Sequence, residues 1–234
     1  MGTRMELDGL IFDKDGTLFE FAATWEAWAA AFLSRACGGD RDRARELGTL
    51  IGFDFENQRF ATDSIVIAGT AGEIADALLP GLPGVEKGGL LTILNEEAAQ
   101  APQAEAVPLV PYLERLKQAG LRLGVATNDA EMPAKAHLGK AGVDGLFEFV
   151  AGFDSGFGGK PAPGQLNAFL ETTGLAAERV AMVGDSTHDL EAGRRAGMRT
   201  IAVLTGMAQW ADLEGLADVV LPDIGHIPEL LGLS

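Results

Sequence analysis

Two aspartates one residue apart close an apolar run, Leu10-Ile11-Phe12-Asp13-Lys14-Asp15-Gly16-Thr17-Leu18. Side chains alternate faces along a strand, so Asp13 and Asp15 point one way and Lys14 another. Carboxylates that close repel unless they share a proton or a cation. A second apolar run ends similarly, in Val180-Ala181-Met182-Val183-Gly184-Asp185-Ser186-Thr187-His188-Asp189. Asp189 is explicable as the N-cap of a helix starting near Leu190. Asp185 lies too far ahead to cap it, and a carboxylate at a strand tip suits a hard cation with oxygen ligands. Two further pieces bring donors: Val125-Ala126-Thr127-Asn128, and Gly158-Gly159-Lys160-Pro161-Ala162-Pro163, whose prolines open a helix. Singly, these are turn formers and a solvated lysine. Together they supply a hydroxyl, backbone amides and one fixed positive charge, which is what a phosphate group requires.

Other chemistries are excluded by spacing. Lys160 is followed by Pro161 and position 154 is Asp, so the Gly-Gly-Lys stretch is no P-loop. The segment from Gly184 to His188 lacks the closing glycine of a serine-hydrolase elbow. No G-x-G-x-x-G follows a strand, and three histidines, His137, His188 and His226, do not make a zinc site. The single cysteine, Cys37, has no activating neighbour in sequence; it is expected to be a packed thiol in a reducing cytoplasm.

The elements that must position these residues follow from periodicity. Leu7–Phe12, Arg122–Ala126, Arg179–Val183 and Thr200–Val203 read as short buried strands, with an edge strand at Asp218–Leu221. Helical spacing runs through Val110–Gln118, Gln165–Thr173, Leu190–Ala196 and about Ile227–Leu231. Strands alternating with helices predict a parallel sheet covered on both faces. Ligands of such sheets gather beyond the carboxyl ends of the strands, where all four motifs fall. From about Phe19 to Pro108 the pattern is helical instead (Thr24–Ser34, Arg41–Ile51, Ser64–Ile67, Thr70–Leu79), broken at Pro80–Gly84, with no strand expected.

A formal charge of −16 over 234 residues argues against nucleic acid and against an anionic membrane surface. No apolar run approaches the roughly 20 residues of a membrane helix. Glu6 and Asp8 before the first strand do not read as a signal peptide. An acidic chain of this kind can still bind a small phosphate ester if donors and a metal cation are concentrated locally.

The four motifs, in this order, resemble the haloacid dehalogenase-like superfamily of phosphohydrolases. Asp13-x-Asp15-Gly16-Thr17-Leu18 is its most specific signature; Lys160-Pro161-x-Pro163 and Gly184-Asp185-Ser186-x-x-Asp189 are less so, and Thr127-Asn128 is weak alone. The resemblance implies an α/β, Rossmann-like three-layer core of residues 1–18 and 106–234. Residues 19–105 would form a small all-helical cap, as in the subgroup containing phosphoglycolate phosphatase and β-phosphoglucomutase. It implies that Asp13 attacks phosphorus to form an aspartyl-phosphate, while Asp15 protonates the departing alcohol and then activates water. Mg2+ held by Asp13, the Asp15 backbone carbonyl and Asp185 would reduce charge repulsion. Thr127, the Asn128 amide and Lys160 would hold phosphoryl oxygens. Thr17 would orient Asp15, and Asp189 would support the metal or orient Lys160. The expected partner is a small phosphorylated metabolite such as phosphoglycolate, acted on by a monomer or homodimer.

Two departures stand out: Lys14, where relatives carry an apolar residue, and Phe19-Glu20-Phe21, where they often carry Asp-Ser. Lys14 is expected to face away from phosphorus. Competing readings are a phosphomutase, a phosphonate hydrolase using Lys87, and a non-catalytic phosphate-binding module; Asp15 disfavours a dehalogenase. Specificity is expected from Trp25, Trp28, Phe53, Phe55, Asn57, Gln58, Arg59 or Phe60, with Arg59 as the candidate partner for a second anionic group.

Overall fold

The computed structural model describes residues 5–61 and 63–233. The chain enters a sheet through β1 (Gly9–Phe12) and then leaves it for about ninety residues. That excursion contains α1 (Phe21–Ala36), α2 (Arg41–Leu50), a minimal hairpin of β2 (Phe53–Asp54) and β3 (Arg59–Phe60), α3 (Ala71–Leu78) and α4 (Lys87–Gln100). The core resumes with α5 (Leu109–Gln118), β4 (Arg122–Ala126), α6 (Glu131–Lys140), β5 (Phe149–Ala151) and α7 (Gly164–Thr173). It finishes with β6 (Val180–Gly184), α8 (Thr187–Arg195), β7 (Arg199–Val203), α9 (Trp210–Leu213), β8 (Val219–Leu221) and α10 (Ile227–Leu230).

Six strands form one wholly parallel sheet in the order β5-β4-β1-β6-β7-β8. The chain runs outward on one side of β1 and then restarts on the other, so the order reverses between β1 and β6. Such a reversal opens a crevice at the strands' carboxyl ends. Alternation fills both faces. Leu10, Phe12, Leu123, Val125, Ala181 and Val183 pack with Leu109, Leu113 and Leu116 of α5. Ile11, Ala126, Val180 and Met182 turn the other way, onto Leu166 and Phe169 of α7 and Ala192 of α8. The expected edge strand is β8. The edge strand β5 and helix α6 had no clear periodic signal.

Helices α1 to α4 have a hydrophobic core of their own. Phe21, Trp25, Trp28, Ala29, Phe32 and Leu33 recur at helical spacing on one face of α1 and meet Leu47, Phe53, Phe60, Ile74, Leu78, Leu90 and Leu94. The Trp28 and Phe32 rings stack at 5.6 Å and Trp25 meets Trp28 edge-on at 5.0 Å. Burial of side chains this large stabilises by about 1.5–3 kcal/mol each, so packing outweighs propensity in fixing α1. The hairpin β2–β3 corrects the expectation of no strand here; at two residues per strand it is too short to leave an alternating pattern. Cys37 is a buried free thiol. No described helix is long and apolar enough to cross a membrane.

The excursion leaves and returns through two segments that bond to each other. Glu20 N–H donates to the Ala104 carbonyl (2.8 Å), Ala106 N–H donates to that of Leu18 (2.9 Å), and Phe19 bridges antiparallel to Glu105. The buried Phe19 belongs to the sheet's core, whereas Phe21 begins α1.

Candidate active site

Asp13 is the first residue past β1, and its N–H donates to the Val183 carbonyl of β6 (2.8 Å), which ties the two strand tips flanking the crevice. Its Oδ1 accepts from Lys160 Nζ at 2.6 Å, and the same ammonium donates to Asp189 Oδ1 at 2.6 Å. Asp13, Asp185 and Asp189 present carboxylate oxygens within 4.8 Å of one another, and all three are buried. The motifs from β1, β6 and the loop before α7 therefore converge on one spot.

Asp189 does not cap its helix. Ser186 does, because α8 begins at Thr187, earlier than the periodicity suggested, and Ser186 accepts from Asp189 N–H while Asp189 Oδ2 takes Ser186 N–H and Oγ–H. This capping box fixes the Asp189 side chain, whose other oxygen accepts from Lys160. Asn128 clamps that lysine's backbone: its Oδ1 accepts from Lys160 N–H (2.7 Å), and its Nδ2 donates to the carbonyls of Lys160 (2.9 Å) and Ala68 (2.8 Å). Thr127 lies at the end of β4 with its hydroxyl accepting from Asp129 N–H (3.0 Å). Gln165, which the sequence gave no reason to single out, is fully buried and donates to the Thr127 and Gly158 carbonyls, tying the Lys160 loop to β4.

Two expectations require correction. Thr17 Oγ1 reaches Asp185 Oδ1 (3.4 Å) and not Asp15. Lys14 stays out of the lining of the cavity over Asp13, but alternation does not separate it from Asp15. β1 ends at Phe12, so strict alternation has lapsed by residue 14. Its ammonium, fully buried, turns to Asp15 Oδ1 (2.6 Å), His137 Nδ1 (3.0 Å) and Asp129 Oδ2 (3.4 Å). His137 Nε2 donates to the Ala98 carbonyl at 2.6 Å, which leaves Nδ1 as the acceptor for Lys14. Lys14 thus links Asp15 to the end of α4. Arg59 lies exposed on the hairpin, away from the cavity over Asp13.

Electrostatics test whether a cation fits. Burial raises Asp13 to about 7, Lys160 pulling against it and Asp189 and Asp15 adding to it. Burial, then Asp13 and Asp189, likewise lift Asp185 well above the usual carboxylate range. Burial opposes the Lys160 charge, yet Asp13 and Asp189 outweigh it and its proton is held more tightly than usual. When all three carboxylates are ionised, one ammonium leaves two negative charges in a buried cluster, which a divalent ion would neutralise. The space around Asp185 is shaped to match: a Cβ on Gly206 would come within 1.6 Å of Asp185 Oδ2, and one on Gly16 within 2.4 Å. The donors are all oxygens, as a hard dication prefers.

Above the carboxylates lies a cavity of about 630 Å3 of empty space, its open mouth included. Asp13, Asp15, Thr127, Lys160 and Asp185 form its floor, and side chains from α1, α3 and α4 form its roof.

Residues 7–197 match the model of the haloacid dehalogenase-like hydrolases. The chain belongs to that family. Among curated relatives, it is 38% identical over 100 residues to phosphoglycolate phosphatase of Aquifex aeolicus, covering 42% of this chain and 47% of that protein. It is 39% identical over 95 residues to enolase-phosphatase E1 of Gluconacetobacter diazotrophicus, covering 39% and 40%. The matched stretch thus spans less than half the length of either relative. The structure of CbbY from Rhodobacter sphaeroides in complex with phosphate superposes with a TM-score of 0.69 at 22% identity, over 93% of this chain and 94% of that one, a likeness of fold.

Proposed function

We propose that this protein is a Mg2+-dependent phosphatase that hydrolyses a small phosphate monoester through an aspartyl-phosphate on Asp13. One observation carries the reading: a buried Lys160 donates at once to the nucleophile candidate and to Asp189, with Asp185 completing the cluster. Lys160 offers its remaining proton and its charge to the phosphoryl oxygens, joined by the Thr127 hydroxyl and the Asn128 backbone N–H. Asp13 Oδ attacks phosphorus as the bond to the alcohol oxygen breaks. Asp15 stands at the cavity wall with one oxygen held by Lys14 and the other available to pass a proton to that alcohol. Water then attacks the aspartyl-phosphate, Asp15 takes its proton, and inorganic phosphate leaves with Asp13 restored. Mg2+, held by the Asp13 and Asp185 carboxylates and the Asp15 carbonyl, would supply the positive charge that lets an anionic nucleophile approach an anionic ester.

Residues 19–105 act, in this reading, as a cap over the crevice. Phosphoglycolate has the name of the Aquifex relative in its favour. Its carboxylate calls for a cation in the roof, which Arg59 does not supply from its exposed place on the hairpin. Phosphate release from a panel of small esters, with Mg2+ and with chelator, tests the reading. Turnover should require the metal and vanish in Asp13→Asn while the variant stays folded. Isomerisation without phosphate release would point to a mutase, and turnover by Asp13→Asn near the wild-type rate would end the covalent mechanism.

A further inference from the structure

The roof of the cavity is apolar and aromatic. Phe21, Trp25 and Trp28 of α1, Ile74 of α3, and Leu94 and Ala98 of α4 face the space over Asp13. No charged side chain of residues 19–105 lines it among the described residues. Every lysine and arginine of that stretch is exposed, and most are held in surface ion pairs: Arg35 with Glu96 and Glu97, Arg41 and Arg45 with Glu56, and Lys87 with Asp76. Lys14 lies 5.7 Å from the centre of the Trp25 ring, and it is already engaged by Asp15 and Asp129. An anionic leaving group placed here would lose its hydration and gain no counter-charge.

The roof also holds an unanswered donor. Trp25 is 8% exposed, and its Nε1–H has no hydrogen-bond partner. The neighbouring Trp28 Nε1–H, in contrast, donates to the Leu94 carbonyl at 3.1 Å. Buried donors are nearly always satisfied, so this one, on a residue that lines the cavity, is open to an acceptor. The half-buried Asn95 amide on α4 also lines the space and can donate or accept.

We infer that the leaving group is an uncharged, largely apolar alcohol, flat enough to lie against Trp25 and Trp28 and carrying a hydrogen-bond acceptor for Trp25 Nε1. The chemical class is the phosphate monoester of an aromatic or similarly hydrophobic alcohol, and carboxylated esters are poor substrates. The inference rests on the phosphatase reading above and narrows it.

Benzyl phosphate is the discriminating probe, because its alcohol is about as poor a leaving group as that of phosphoglycolate and intrinsic reactivity does not bias the comparison. With saturating Mg2+, kcat/KM for benzyl phosphate should exceed that for phosphoglycolate at least about thirtyfold, chiefly through KM. Trp25→Phe should raise KM for 4-acetylbenzyl phosphate about fivefold more than it raises KM for benzyl phosphate, the difference being the lost hydrogen bond. Asn95→Arg, at a half-exposed position, should raise phosphoglycolate turnover about tenfold by supplying the missing cation. Mg2+-dependent turnover that favours phosphoglycolate over benzyl phosphate would overturn the inference and leave the phosphatase reading standing. If no ester is turned over, the phosphatase reading fails and the cavity is read by binding. Tryptophan fluorescence titrated with benzyl phosphate and with phosphoglycolate should then still report tighter binding of the former, and equal or weaker binding overturns the inference.

Discussion

Lys14, between the two aspartates, is fully buried in an ionic cluster with Asp15 and Asp129. Burial works against its charge, but Asp15 and Asp129 outweigh that and hold its proton more tightly than usual. Removing one member of a buried ionic cluster leaves the others uncompensated, at a cost of about 3–5 kcal/mol. Lys14→Met should therefore lower the urea midpoint by that equivalent without changing the slope, and adding Asp129→Asn should recover part of it. An unchanged midpoint would mean the cluster is held by other groups. A second residue-scale prediction concerns Gly206, where the obstacle to a side chain is steric. Gly206→Ala pushes a methyl into Asp185, so the Mg2+ concentration for half-maximal activity should rise at least about tenfold in a folded protein. An unaltered Mg2+ requirement would show that Asp185 can move aside without loss.

At the scale of elements, α6 holds the end of α4 through two side chains: His137 donates to the Ala98 carbonyl and Lys140 Nζ to that of Ala99 (2.7 Å). Such donors satisfy carbonyls that a helix end leaves open. Burial, reinforced by the Lys14 charge, pushes His137 down to about 4 from its ordinary 6.5. Between those values the unfolded chain binds the proton and the folded one does not, so this residue's contribution is whole above 6.5 and is lost as pH falls to 4. The loss amounts to at most about 3 kcal/mol. The buried carboxylates Asp13 and Asp129, raised to about 7 and about 6 chiefly by burial, act in the opposite sense within the same window. The readout is accordingly the difference between wild type and His137→Gln: their unfolding free energies should converge as pH falls from 6.5 towards 4. Parallel curves would remove His137 as the titrating group. Neither partner of this contact was legible beforehand. In α6, Pro133 and Gly139 interrupt an already mixed face, and α4 begins Lys-Gly-Gly. The strands of the sheet were legible because parallel strands buried on both faces are unbroken apolar runs; β5, three residues long, offers too few. Asp13, Asp185 and Lys160 were legible because strand tips bring distant motifs together. The partners of Thr17 and Lys14 were not, since both lie beyond the last residue of β1, where alternation gives no direction.

For the whole molecule, only a small part of the formal −16 lies in the crevice. Three acidic side chains crowd the crevice at the reversal of strand order, with a single lysine among them. A ligand that binds only the folded state stabilises it by RT ln(1 + [L]/Kd), about 2.7 kcal/mol at a hundredfold excess over Kd. For a chain of this size that corresponds to a rise in Tm of about 5–10 °C. Mg2+ should produce such a rise, chelator should reverse it, and Asp185→Asn should abolish it. An equal shift in that variant would place the cation elsewhere on the acidic surface.

The paired crossings between the sheet and the excursion have a mechanical consequence. Two strings knotted together at one point behave as a single strap: any rocking of the roof would pivot about Phe19 and Glu105, while a twist would tear the rungs at Glu20 and Ala106. The end of α4 that leads into this crossing is latched to α6 by Lys140, so any movement of the roof must work against that bond. Cutting the latch with Lys140→Ala should accelerate amide deuteration throughout α4 and leave the Glu20 and Ala106 amides as slow as before. Faster exchange at those two amides as well would mean that the strap itself comes undone.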